Sequence, residues 1–224
     1  MRPTIARSQR IATWRYRAVG CLLSWLATAC ASSPRTPAHG SVAYFPPGAF
    51  ASAGEDGAFQ VDWYSKELRA LREPSVAALA GDEGAHTYRF LWLRTFDAPI
   101  ALRVDVSPDG GATLTVKRTS GQGGFEPGTL VTNERRALSR ADVGRFLALL
   151  EAARFWELPA REPLESEDGT ITVKADGAQW ILEGVRSGRY HAVDRGTPTG
   201  GAYREAALWL VSRAGLRLKP ESIY

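Results

Sequence analysis

The residues best placed for chemistry lie in one predicted β-hairpin, which turns at Ser187-Gly188. An even-length turn there pairs Gly184 with His191 and Trp180 with Arg195, all on one face. An aromatic plane, an imidazole and a guanidinium beside a glycine could hold a planar or anionic ligand. Trp180, His191 and Arg195 are therefore the candidate ligand-binding residues. In the alternative interpretation, Trp180 and Arg195 are a cross-strand packing pair, and His191 is hydrogen-bonded within the sheet.

His191 is also the candidate general acid or base of a hydrolase, with Asp194 or Glu183 nearby. The same register places both carboxylates on the opposite face from the imidazole, which disfavours catalysis. Nucleophilic catalysis has little support, because no Gly-x-Ser-x-Gly motif is present. The two cysteines, Cys21 and Cys30, both precede the predicted domain, so a cysteine nucleophile is not expected there.

No metal site and no cofactor are predicted. The histidines His39, His86 and His191 are far apart, and no His-Glu-x-x-His motif occurs. The glycine-rich residues 121–128 have the composition of a phosphate-binding loop, but such loops lead into a helix. Here a predicted strand follows, and no Lys-Ser/Thr closes the motif. We therefore expect a structural loop.

Residues 1–29 have the features of a secretory signal peptide. An arginine-rich start precedes an apolar stretch, residues 18–29, of 12 residues, too short to span a bilayer as a helix. The segment Leu26-Ala27-Thr28-Ala29-Cys30 resembles the lipobox of bacterial lipoproteins, which implies a lipid on Cys30. Ordinary cleavage after Ala29 is the alternative, since Ala27-x-Ala29 is a small-residue cleavage pattern. We expect export to the periplasm or the outer surface, with membrane attachment through Cys30.

The net charge of +4 belongs to this leader. Without the five arginines that precede Cys30, 23 basic residues face 24 acidic ones, a net charge of −1. A near-neutral domain lacks the basic surface that phosphate contacts require, so nucleic acid is excluded as a predicted partner.

Residues 30–60 are predicted to be a flexible tether and an irregular arm, because they are rich in Pro, Ser, Gly and Ala. Residues 61–218 are predicted to be a single α+β globular domain with a largely antiparallel sheet of about five to seven strands and two or three packed helices. Alternation and turn signals predict strands at 86–95, 100–106, 112–118, 129–137, 170–174, 179–186 and 189–195.

Helical spacing of apolar residues predicts three helices, at 61–73, 140–154 and 203–214. Asp62 and Ser139 are the predicted N-caps of the first two. The inward-facing residues expected on the three helices are, in order, Leu68 and Leu71; Phe146, Leu147, Leu150 and Ala153; and Ala207, Leu208 and Val211. The aromatic run Tyr88, Phe90 and Trp92 is expected to lie in the core.

Four segments, YRFLWLRTF (88–96), GGFEPG (123–128), QWILEG (179–184) and YHAVDR (190–195), resemble an uncharacterised family of bacterial exported proteins and lipoproteins. The similarity runs from about Tyr88 to Leu216, with residues 165–174 as a local insertion. The resemblance implies a bacterial envelope protein and carries no known activity.

These observations favour a non-catalytic envelope protein, tethered at Cys30, whose sheet binds a partner protein or a small anionic ligand. The alternatives are an envelope hydrolase that uses His191, and a structural or inhibitory module that acts on another envelope enzyme.

Overall fold

The computed structural model describes residues 43–52, 56–162, 166–167, 170–171 and 177–224. The large sheet consists of β1 (His86–Arg94), β2 (Ile100–Val106), β3 (Ala112–Thr119), β4 (Leu130–Leu138), β7 (Ala178–Arg186) and β8 (Arg189–Gly196). A separate two-stranded hairpin is formed by β5 (Ser166–Glu167) and β6 (Thr170–Ile171). The predicted signal peptide, Cys30 and the rest of the first 42 residues lie outside the described part, as do residues 172–174 of a predicted strand.

The six strands have the order β4-β3-β2-β1-β7-β8, and each neighbouring pair is antiparallel. The predicted α+β class and strand number are therefore confirmed. The predicted turns are also confirmed, because β2 and β3 pair from Val106 and Ala112 onwards and β7 and β8 pair from Arg186 and Arg189 onwards. Long-range pairing of β1 with β7 then adds the last hairpin to the sheet beside β1, so that β8 forms the edge opposite β4.

Helices cover both faces of the sheet: α1 (Ala58–Ala70), α2 (Arg140–Ala152) and α3 (Gly201–Arg213). On one face, α2 and α3 pack on Tyr88, Phe90 and Trp92, which confirms the predicted core position of these aromatic residues. On the other face, α1 packs on Leu91 and Leu93 of the same strand. Because successive side chains of β1 point to opposite faces of the sheet, this one strand contributes residues to both cores.

The helix α2 begins as predicted, because the Ser139 hydroxyl accepts a hydrogen bond from the Asp142 N–H at 3.1 Å. Three residues predicted to face inward, Leu147, Ala153 and Leu208, are only partly buried. The buried faces of the two helices consist instead of Val143, Phe146, Leu149 and Leu150 in α2 and of Tyr203, Ala206, Ala207, Leu210 and Val211 in α3.

The predicted start of α1 is wrong. The helix begins at Ala58 after Gly57, whose φ of 73° turns the chain into the helix, and Asp56 Oδ1 accepts from the Ala58 N–H at 2.9 Å. Asp62, the predicted N-cap, is an exposed residue within the helix. Leu68 and Leu71 are fully buried, as predicted.

Segments outside the predicted domain limits complete both cores. Tyr44, Phe45 and Phe50 of the predicted arm are buried beside α1. At the C-terminal end, Ile223 and Tyr224 pack against the core beneath α2 and α3.

Candidate functional site

The structure brings Trp180 and Arg195 opposite each other in the predicted register, but Trp180 is inaccessible. Its side chain has no exposed surface, and its indole N–H donates to the main-chain oxygen of Tyr224 at 3.0 Å. The guanidinium that lies over its ring, at 5.7 Å, belongs to Arg204. A ligand could reach this ring only if the core opened.

Arg195 is bound by its own surroundings. Its two terminal nitrogens donate to the main-chain oxygens of Asp194, at 2.7 Å, and Pro159, at 2.9 Å. Its Nε lies 3.4 Å from Glu162 Oε1. The guanidinium therefore holds the segment around Pro159 against β8, and it also lies over the ring of Tyr203, at 5.8 Å.

His191 lies at the rim of the same face and is half-buried. Its Nε2 lies 3.0 Å from the Leu158 main-chain oxygen, and its ring centre is 5.2 Å from that of Phe155. Burial lowers the pKa of the imidazole. The space beside Gly184 is taken by Tyr88, since a Cβ on this glycine would lie 2.5 Å from Tyr88 Cδ1. The glycine thus admits a core ring and leaves no cleft.

The carboxylates of the hydrolase hypothesis lie on the opposite face, as the predicted register requires. Glu183 is buried and accepts from Arg89 Nε at 2.7 Å. Asp194 accepts from the Tyr64 hydroxyl at 2.9 Å, and burial raises its pKa to about 6. Neither carboxylate is a hydrogen-bond partner of His191, so these residues do not form an acid–base pair.

No group of three or more potential metal ligands occurs within the described ranges. In the same part of the chain, no helix is long and apolar enough to cross a membrane.

A second candidate surface lies elsewhere, along the outer side of α1. A groove of about 410 Å³ is lined by Phe59, Asp62, Trp63, Lys66, Gly124 and Phe125, and we call it the aromatic groove. Phe59 and Phe125 are 70% and 56% exposed. Phe96, 59% exposed, extends the surface, because its ring centre lies 6.4 Å from that of Phe125. The volume of the aromatic groove falls within the range of ordinary ligand pockets.

The glycine-rich loop at residues 121–128 forms the second wall of the groove. A Cβ on Gly123 would lie 2.9 Å from the Arg94 main-chain oxygen, and one on Gly124 would lie 3.0 Å from that of Thr95. Only glycine therefore allows the loop to lie this close to the end of β1. The close approach holds Phe125 beside α1, and it explains the Gly-Gly-Phe sequence in physical terms.

Polar contacts fix the two walls to each other. The Trp63 indole N–H donates to the Gly123 main-chain oxygen at 3.0 Å. Lys66 Nζ donates to the Phe125 main-chain oxygen at 3.1 Å and to Glu126 Oε1 at 2.7 Å. The groove is thus built before any ligand arrives, which reduces the entropy lost on binding.

The rim of the groove carries an excess of negative charge. Lys66 is offset by Glu126, whose side chain is 83% exposed, and Asp62 is exposed on the helix side. Two carboxylates and one ammonium leave one uncompensated negative charge. This rim favours a cationic group, and the aromatic faces below it favour the same group through cation–π attraction.

The sequence predicts the loop and the helix but not the groove between them. Leu68 and Leu71 had marked the inner side of α1, so the i, i+4 pair Phe59 and Trp63 was a usable sign of an aromatic outer side. The signal was lost because the helix was predicted to begin after Phe59. That Phe125 meets this stripe depends on tertiary packing, for which the sequence carries no local sign.

Comparisons with protein-family models, with curated proteins and with solved structures found no match, so the resemblance to exported bacterial proteins stays a prediction.

Proposed function

We propose that this chain is an exported, membrane-tethered envelope protein that binds another protein without catalysing a reaction, and that the aromatic groove is its binding surface. The observation that carries the proposal is the clustering of exposed apolar side chains. Four large hydrophobic residues are exposed in the described part of the chain, and Phe59, Phe96 and Phe125 are three of them. Clustered exposed apolar surface is typical of interaction sites.

The partner that fits is a proline-containing, basic segment in an extended conformation. Aromatic-lined grooves bind such segments because a polyproline helix is already ordered before binding. A guanidinium or ammonium on the same segment would meet Asp62 and Glu126 at the rim. Export and the tether at Cys30 rest on the leader sequence.

A titration of the full-length chain with the synthetic peptide PPRPPRPP tests this proposal by isothermal titration calorimetry. We expect saturable binding, and no binding of the acidic counterpart PPEPPEPP. Replacing both Phe59 and Phe125 by Ala should weaken binding about tenfold or more, because each aromatic contact contributes roughly 0.5–1.5 kcal/mol.

The matched control is Val131→Ala, which truncates the fourth exposed hydrophobic side chain, on a strand that does not line the groove. It should bind the peptide as the unmodified chain does. Absence of binding by the unmodified chain, equal binding of the acidic peptide, or full affinity in the double phenylalanine variant would contradict the proposal.

A further inference from the structure

We propose that two copies of this chain associate through β4, which joins their two sheets edge to edge in antiparallel register. β4 is the outer strand at one end of the six-stranded sheet, and β3 is its only strand partner among the described residues. An outer strand presents unpaired main-chain donors and acceptors that a further strand can satisfy.

The two ends of the sheet differ. At the β8 end, the Asp194 N–H donates to the Ala160 main-chain oxygen at 2.7 Å, and Arg161 forms a bridge with Asp194. The segment before β5 therefore covers part of that edge. No comparable segment covers β4 within the described ranges.

The helical layers also leave most of β4 exposed. All of its residues from Leu130 to Ala137 are at least partly exposed, and only Leu138 is buried. Val131 lies on this strand and is 55% exposed; the other large exposed hydrophobic residues in the described part of the chain belong to the aromatic groove or to its extension at Phe96. On one face the chain just after α3 approaches the strand, since a Cβ on Gly215 would lie 2.6 Å from Arg136 Cζ, but the Arg136 side chain is still 41% exposed and can meet a second copy.

The charges of β4 are self-complementary in one register. If the two-fold axis passes through Arg135, Glu134 of each copy lies opposite Arg136 of the other. Both residues are on the same face of the sheet, where Arg136 Nη2 already lies 2.7 Å from Glu134 Oε2 of its own chain. Pairing would surround each charge with a second opposite charge, at the spacing at which cross-strand pairs attract.

The same register places Arg135 of one copy opposite Arg135 of the other, and this like-charge pair opposes association. One strand pair is also a small interface. We therefore expect a weak dimer whose population rises with protein concentration. Removing the Arg135 pair should therefore strengthen the dimer, and reversing one charge of the Glu134–Arg136 pairs should weaken it.

Sedimentation equilibrium of the full-length chain over a concentration series measures the dimer dissociation constant. Glu134→Arg and Arg136→Glu should each weaken association roughly tenfold or more, since each turns two attractive pairs into repulsive ones. The double variant E134R/R136E restores both pairs with exchanged signs and should recover the original dissociation constant. Arg135→Thr should tighten the dimer.

Recovery in the double variant excludes misfolding as the cause of the single-variant losses, and far-ultraviolet circular dichroism of each variant checks the fold. A chain that stays monomeric at every concentration overturns the proposal. A dimer that the single charge reversals leave intact, or that the double variant fails to restore, overturns it as well.

Discussion

Glu67 lies on the inner side of α1 with no exposed surface, and neither of its carboxylate oxygens has a hydrogen-bond partner among the described residues. Burial raises the pKa of this carboxyl to about 8; neighbouring Lys66 lowers it and Glu126 raises it. The acid therefore stays protonated in the folded protein at neutral pH, directly behind the side chains that line the aromatic groove.

The free energy of unfolding should consequently fall as the pH rises from about 4.5 to about 8, because the unfolded chain releases the Glu67 proton in this window and the folded chain retains it. Glu67→Gln should have nearly the original stability near the acidic end. Near pH 8 it should be more stable than the original chain by several kcal/mol, because raising the pKa from 4.5 to about 8 costs about 1.4 kcal/mol of stability per unit and glutamine has no proton to release.

Urea unfolding at both ends of this pH window measures the difference. Glu151→Gln, which changes an exposed glutamate on α2, is the control and should leave the pH dependence unaltered. If the free energy of unfolding of the Glu67→Gln chain differs from that of the original chain by the same amount at every pH, Glu67 does not have the raised pKa described above.

Cys30 is the residue on which the tethering proposal depends. We expect cells that make the full chain to incorporate labelled fatty acid into it, and the Cys30→Ala chain to lose the label completely, because the sulfur is the attachment atom. Gel autoradiography of immunoprecipitated protein measures this. Cys21→Ala is the control and should remain labelled. Label on the Cys30→Ala chain would contradict lipid attachment at Cys30.

At the scale of elements, the C-terminal segment closes the core between α2, α3 and the sheet. The main-chain oxygen of Tyr224 accepts the indole N–H of both Trp92, at 3.1 Å, and Trp180, at 3.0 Å. Arg94 donates to the main-chain oxygen of Ser222 at 3.0 Å. These three donors are buried or nearly so, and one short segment satisfies them.

Removing residues 220–224 should lower the free energy of unfolding by roughly 2–5 kcal/mol, because two buried indole N–H groups and a guanidinium lose their acceptors. Chemical unfolding followed by tryptophan fluorescence measures the loss. Tyr224→Phe retains the main-chain oxygen and loses only the hydroxyl, which lies 3.2 Å from Asp97 Oδ2, so its effect should stay below about 1 kcal/mol. Equal losses in the two variants would exclude the proposed role of the main-chain oxygen.

Local signals in the sequence predicted the elements whose causes are local. Ser139 with Asp142 marks the start of α2, and the turns at Asp109-Gly110 and Ser187-Gly188 set both hairpins. The burial of Phe50 against Tyr64, at 5.3 Å between ring centres, joins an irregular arm to a helix, and no periodic pattern encodes such a contact. The C-terminal acceptor at Tyr224 was missed for the same reason.

The candidate site was likewise predictable only where its geometry depends on local sequence. The register that pairs Trp180 with Arg195 was predictable, because it depends on one turn. Whether that face is open or covered depends on α2, α3 and the C-terminal segment, and these bury Trp180. The aromatic groove requires two segments about sixty residues apart to meet, as the hydrogen bond from Trp63 to Gly123 shows.

At the scale of the whole molecule, the described chain has two closed cores and two open features. The sheet faces are filled by α2 and α3 on one side and by α1 with the arm on the other. The aromatic groove and the outer strand β4 remain open. Since the groove belongs to α1 and the glycine-rich loop, partner binding there and association through β4 engage separate surfaces.

Amide chemical-shift mapping by nuclear magnetic resonance of the full-length chain during titration with PPRPPRPP tests whether the aromatic groove is the binding surface, because it locates the peptide on the molecule. We expect saturable shifts at residues 59–66 of α1 and at residues 123–126, and no shifts in the hairpin that carries Trp180, His191 and Arg195. Shifts concentrated on that hairpin, or no shifts at any residue, would contradict it.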